Sequence, residues 1–311
     1  MKIISTRALC CATLLLLTNG CTETTICIDS GSGSPNQSDN PSVDGSLITF
    51  HAAVESRNMT RSVSPVRKNI QAQIFAFDDT TTATAVAEGA YLSTTPGMLQ
   101  GLQGYKMYLP NGTYNFYAVS DHTQYAAPRF VNGHSEPLFN QTDYLWWGAL
   151  QQDVAAHQTA IPIVFLHCAT QVIFEIVEGE GVTINRLALA HIYPPVEGAQ
   201  MDLATGIIPA TSTYDSSISK MSISGLQAQY TMLPVASSQP LAVSFDVLIN
   251  GEVIARTYQV AVPLPDNALK AGNSYRFLVV IRGSEVTFGS VTVKAWVDVD
   301  ETGAPLYPDE Q

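Results

Sequence analysis

Asn111-Gly112-Thr113-Tyr114-Asn115-Phe116-Tyr117-Ala118-Val119-Ser120 is the stretch that decides the class of this chain. An Asn-Gly pair is a strong sequence mark of a tight hairpin, because both residues tolerate the positive φ such a turn needs. The run after it alternates aromatic and small side chains, as a strand with one buried face does. Moving outward, the period-two pattern recurs at short spacing. In Ile70–Phe77, Ile70, Ala72, Ile74 and Ala76 fall on one side and Phe75 and Phe77 on the other. In Leu47–Val54, Ile48, Phe50, Ala52 and Val54 alternate with Thr49, His51 and Ala53. Ile161–Leu166 and Thr170–Val177 are dense in Ile, Val and Phe, and Asn132-Gly133 repeats the hairpin signal. Asn250-Gly251 does so again, between Val243–Ile249 and Val253–Val262. Leu278–Ile281 and Val286–Trp296 read as a last hairpin around Arg282-Gly283-Ser284-Glu285. No window carries a persuasive helical period. The 21 Gly and 17 Pro fall mostly between strands, so the expectation is an all-β fold of sandwiches joined by turns.

Composition narrows the function classes. The 311-residue chain carries a formal net charge of −12, which makes it a poor nucleic-acid binder, since phosphate contacts need clustered Lys and Arg. Charged residues are only 14% while hydrophobic ones reach 46%, so the surface must rely on Ser, Thr, Asn and Gln. The sequence holds no Gly-x-Ser-x-Gly elbow, no phosphate-binding Gly loop and no metalloprotease helix, and it reads as a non-enzyme without cofactor. Its six histidines form no His-x-x-x-His pair. Asp298-Val-Asp300-Glu-Thr-Gly303 has a trace of a calcium loop but lacks the later carboxylates, and reads as an exposed acidic turn.

The N-terminus reads as an export signal. Lys2 and Arg7 precede the apolar run Ala8–Thr18, which at about 11 residues is far short of the roughly 20 that span a bilayer. Gly20 followed by Cys21 resembles the lipobox of bacterial lipoproteins, which implies cleavage before Cys21 and acylation of its thiol. Two or three acyl chains would hold the protein on a membrane. An ordinary secretory signal with an incidental cysteine is the alternative. Cys10 and Cys11 leave with the signal, and nothing in the spacing of Cys27 and Cys168 argues for or against a bridge. The Ser-, Gly-, Asn- and Pro-rich stretch before Leu47 has little to bury and reads as a flexible linker. The expected organisation is a signal over 1–20, a linker over 21–46 and two β-sandwiches over 47–180 and 181–311, divided at the polar step Glu178–Gly181.

Taken together, several segments resemble the fimbrillin superfamily of Gram-negative anaerobes. They are Ile70–Asp78, ending in Phe-Asp; Gly112–Val119; Asp143-Tyr-Leu-Trp-Trp-Gly148; Leu166–Phe174; Leu269–Phe277; and Val293-Lys-Ala-Trp296. The resemblance implies two transthyretin-like β-sandwich domains, an outer-membrane lipoprotein precursor anchored through Cys21, and a place in surface fimbriae serving adhesion. It further implies a trypsin-like, Arg-specific protease that cuts after an Arg beyond the first strand. The strand so released leaves a groove that a strand of another fimbrillin-type subunit fills. Here Leu47, Ile48, Phe50, Ala52 and Val54 would belong to the removable strand, and Arg57 and Arg61 would be the cleavage points, Arg61 after Thr60 being the better match. Both arginines can equally be solvated surface residues. The rival reading is a monomeric surface glycan-binding lipoprotein that uses Tyr144, Trp146 and Trp147 as a flat aromatic platform.

Overall fold

The computed structural model describes residues 45–56, 62–78, 81–155, 157–283 and 285–296. Cys21, Cys27, Arg57, Arg61 and the acidic turn 298–303 lie outside the described residues. Among the described residues the fold is all-β, with two 3₁₀ turns and no α-helix.

The strands form two sets. The first comprises β1 (Ser46–Ser56), β2 (Ser62–Pro65), β3 (Gln71–Phe77), β4 (Ala87–Thr95), β5 (Met98–Gly101), β6 (Met107–Leu109) and β7 (Gly112–Ser120). The ribbon β8 (Phe130–Val131) and β9 (His134–Ser135) comes next, followed by β10 (Leu145–Val154) and β11 (Gln158–His167). Seven of them close on themselves in the order β11-β10-β7-β3-β4-β5-β1, with β1 and β11 completing the ring. The barrel core holds the inward row of each strand: Phe50 from β1, Ile74 from β3, Phe116 from β7 and Phe165 from β11.

The second set is β12 (Thr170–Glu178), β13 (Ile184–Ile192), β14 (Ser219–Lys220), β15 (Ser222–Ser224), β16 (Gln227–Met232), β17 (Val235–Ala236), β18 (Leu241–Ile249), β19 (Arg256–Val262), β20 (Ala268–Leu269), β21 (Asn273–Arg282) and β22 (Glu285–Ala295). The sheet β15-β16-β12-β21-β22 and the sheet β14-β13-β18-β19 share one core around Phe174, Phe245 and Phe277. In β18 burial alternates residue by residue along Leu241–Ile249, the direct outcome of its period-two sequence.

Two sequence expectations change in detail. The polar step at Glu178–Gly181 follows β12, which pairs with β16 and β21. Asn111-Gly112 does not join a hairpin: β6 before it pairs with β1, and β7 after it pairs with β3 and β10. Asn132-Gly133 does make a hairpin turn, with φ of 51° and 78°, between β8 and β9. Finally, β7 is buried on both faces from Tyr114 to Ser120. Tyr114, Phe116 and Ala118 face the barrel, whereas Tyr117 and Val119 join a further cluster with Leu203, Ile208, Leu233 and Trp296. That cluster packs the two sets of strands together.

Candidate functional site

The segment singled out by the sequence, Leu47–Val54, is the strand that closes the barrel. On one side β1 runs parallel to β11, in unbroken register from Leu47 opposite Gln158 to Val54 opposite Phe165. On the other side three short strands share its length, β6 opposite Ser46–Ile48, β5 opposite Phe50 and His51, and β2 opposite Ala53–Ser56. The turn before β5 adds a contact, since the Ala52 N–H donates to the Gly97 carbonyl at 2.9 Å. Gly97 takes φ +79° to present that oxygen, a conformation that suits glycine.

The side chains of β1 are the inner wall of the barrel. Ile48, Phe50, Ala52 and Val54 are all buried, while Leu47 is half-buried on the outer row. Phe50 meets Tyr91 edge-on at 5.0 Å and Phe116 at 6.2 Å between ring centroids. Burying a ring of this size is worth about 1.5–3 kcal/mol, and the edge-on pairs add to that. Burial pushes the Tyr91 phenol well above its ordinary range, with Tyr105 raising it further, so Tyr91 stays neutral against Phe50. Without β1, the barrel would have an open apolar slot bounded by β11, β5 and β6. Arg57 and Arg61 fall in sequence between Ser56 and Ser62, which face each other at the end of the β1–β2 ladder.

A second arrangement holds the end of the barrel against the second set of strands. The Asp143 carboxylate accepts hydrogen bonds from His122 Nδ1 at 2.7 Å and from His167 Nδ1 at 2.8 Å. Burial alone would push this carboxyl up; the charge of His167, and the hydrogen bonds from both histidines, overcome that and hold it well below the usual range. The His167 ring in turn stacks face to face on Trp296, centroids 4.6 Å apart. In the sequence no spacing rule links residues 122, 143, 167 and 296. A cavity of about 200 Å³ lies beside the stack, bounded by Glu55, Trp146, Ile207 and Trp296 among others.

The aromatic cluster is packing rather than platform. Tyr144 is buried and its hydroxyl accepts the Phe139 N–H. Trp146 is half-buried, donates from Nε1 to the Leu203 carbonyl at 2.7 Å, and has the backbone of Gly206 against its ring. Trp147 is half-buried against the barrel core. The two indoles therefore do not share one exposed flat face. Cys168 is a free thiol in this cluster, pushed up by burial and by Asp143. Among the described residues no group of three or more His, Cys, Asp or Glu is placed to hold a metal ion.

Comparison with known proteins places this geometry. Residues 60–296 match the model of a family described as fimbrillin-like. Among solved structures, a candidate cell-adhesion protein from Bacteroides ovatus superposes with a TM-score of 0.62 at 16% identity, covering 82% of this chain and 99% of that one. Another from Bacteroides uniformis gives 0.57 at 16% identity, covering 81% and 99%. A tip fimbrial protein from Porphyromonas gingivalis gives 0.50 at 11% identity, covering 80% and 100%. No curated protein sequence matches.

Proposed function

Because this chain belongs to the fimbrillin-like family, a non-enzymatic structural family, we propose that it is a surface fimbrial subunit or accessory protein that assembles by strand exchange and serves cell adhesion. In this reading the chain is tethered to the outer membrane through acylated Cys21. Its two transthyretin-like domains correspond to the β1–β11 barrel and the β12–β22 sandwich, divided at Cys168-Ala169, just before β12 turns to β16 and β21. The observation that carries the proposal is the role of β1 in the barrel. It is one strand, entered from the N-terminal side, whose inner row Ile48, Phe50, Ala52 and Val54 fills the core and whose two edges are both paired. An element of that kind can leave only by exposing backbone groups and an apolar slot, and such a slot recruits an extended strand in trans. Cleavage after Arg57 or Arg61 by an Arg-specific protease would cut the covalent link that holds β1 in place. The cell-adhesion and fimbrial proteins compared above share the fold and give the reading its setting.

The test uses purified precursor treated with a trypsin-like protease and run on SDS gels without boiling. A ladder of SDS-resistant oligomers, lost in the double substitution Arg57→Ala/Arg61→Ala, is the expected result. Intact monomer with no cut between residues 57 and 67 would overturn it.

A further inference from the structure

We propose that the second set of strands carries a docking groove for a short, extended, acidic peptide segment of another polypeptide, seated along β13. The groove arises from a corner in the chain. Ser219 and Lys220 pair with Ile192 and His191 of β13, and the Met221 N–H donates to the Ala190 carbonyl. From Ser222 onward the same stretch has turned away to pair with β16 in the other sheet. Residues 184–189 of β13 keep β18 on one side and have no ladder partner on the other among the described residues. An edge of this kind presents backbone N–H and C=O groups to solvent, and an added strand satisfies them.

The opening is a groove of about 730 Å³ between β13 and β15, with Leu187 and Met221 as its buried floor and Arg186, Lys220 and Ser222 exposed on it. Among the described residues no carboxylate lines it. Neither cation has an ion-pair partner among the described residues, whereas Arg256 and Arg276 are paired with Glu252 and Glu175. In a chain with 15 Lys and Arg against 27 Asp and Glu, two unpaired cations beside an open edge select for negative charge. Among the described residues no aromatic ring lines the groove, so a sugar would find no face to stack on, while a peptide would find both the edge and the charges. The free stretch Asn185–Leu189 spans about 13 Å, which fits a strand of four or five residues. Charged residues on an edge can also serve only to repel neighbouring strands, and the experiment separates that role from docking.

The probe is the peptide acetyl-Val-Asp-Val-Asp-Val-amide, titrated calorimetrically into the full chain beside its Lys counterpart and an oligogalacturonate of matching length. The expected result is binding of the Asp peptide alone, weakened by at least about ten-fold in Arg186→Glu/Lys220→Glu and falling as salt rises. Hydrogen exchange should show new protection at Leu187–Leu189 on binding, and Arg186→Lys should retain it. The proposal is overturned if the Asp peptide binds no better than the Lys peptide or if the double variant binds it unchanged. Tighter binding of the oligogalacturonate would reassign the groove to acidic glycans, and self-association of the double variant without loss of peptide affinity would reduce the cations to edge protection. None of these readouts depends on cleavage at Arg57 or Arg61.

Discussion

Phe50 shows how much one side chain contributes to this barrel. It is fully enclosed, its ring meets Tyr91 and Phe116 edge-on, and no neighbour can follow it inward without breaking the ladder of β1. Phe50→Ala should cost about 3–5 kcal/mol in denaturant unfolding, because the cavity cannot collapse. Gly206 is a different case. It sits at φ +70°, and a Cβ there would lie 2.4 Å from the Trp146 ring, so Gly206→Ala should lose about 1–3 kcal/mol and alter Trp146 fluorescence. Asp143 brings a pH dependence. Its folded carboxyl titrates below its unfolded one, so its contribution is complete above about pH 4, the ordinary Asp value, and drains away as the pH falls further. Stability measured against pH should therefore decline more steeply below about pH 4 in the native chain than in Asp143→Asn. The histidines had looked unremarkable in sequence because the three residues stand 21 and 24 positions apart, a separation no motif encodes.

At the scale of elements, β1 differs from the strands around it. It supplies a full row to the core, yet its outer edge is divided among β6, β5 and β2, each too short to hold it alone. Most of its continuous pairing is to β11. If the strand-exchange reading holds, a cleaved chain freed of β1 should recapture a synthetic 46–56 peptide. The same peptide with Phe50→Ala should bind about 100-fold more weakly or worse, as the lost burial energy implies. Equal affinity of the two peptides would mean that the slot does not recognise the inner row of β1. The sequence already showed which residues of β1 face inward, since alternation is a property of the strand itself. It did not show that β6 would turn to β1 rather than to β7 across Asn111-Gly112; that choice depends on where the barrel closes.

Across the whole molecule, the cluster around Tyr117, Leu203, Ile208 and Trp296 joins the barrel to the sandwich beyond it. Trp296 packs there with 5% exposure and stacks on His167 from the first set. Removing it should cost about 3–5 kcal/mol and loosen the joint. Calorimetry of Trp296→Ala should then resolve two transitions where the native chain shows one, because each set of strands has its own core.

What the sequence by itself determined is the all-β class, the inward rows of the strands and the final hairpin at Arg282–Glu285, all of which follow from local periodicity and turn chemistry. Only the tertiary structure decided that β1 closes a ring against β11, where Thr49 and Thr159 stand 110 residues apart. It alone decided that β7 is buried on both faces, and that Asp143 holds two distant histidines. Strand period is set by bonds between neighbouring residues, whereas ring closure, two-sided burial and charge pairing depend on which distant surfaces meet.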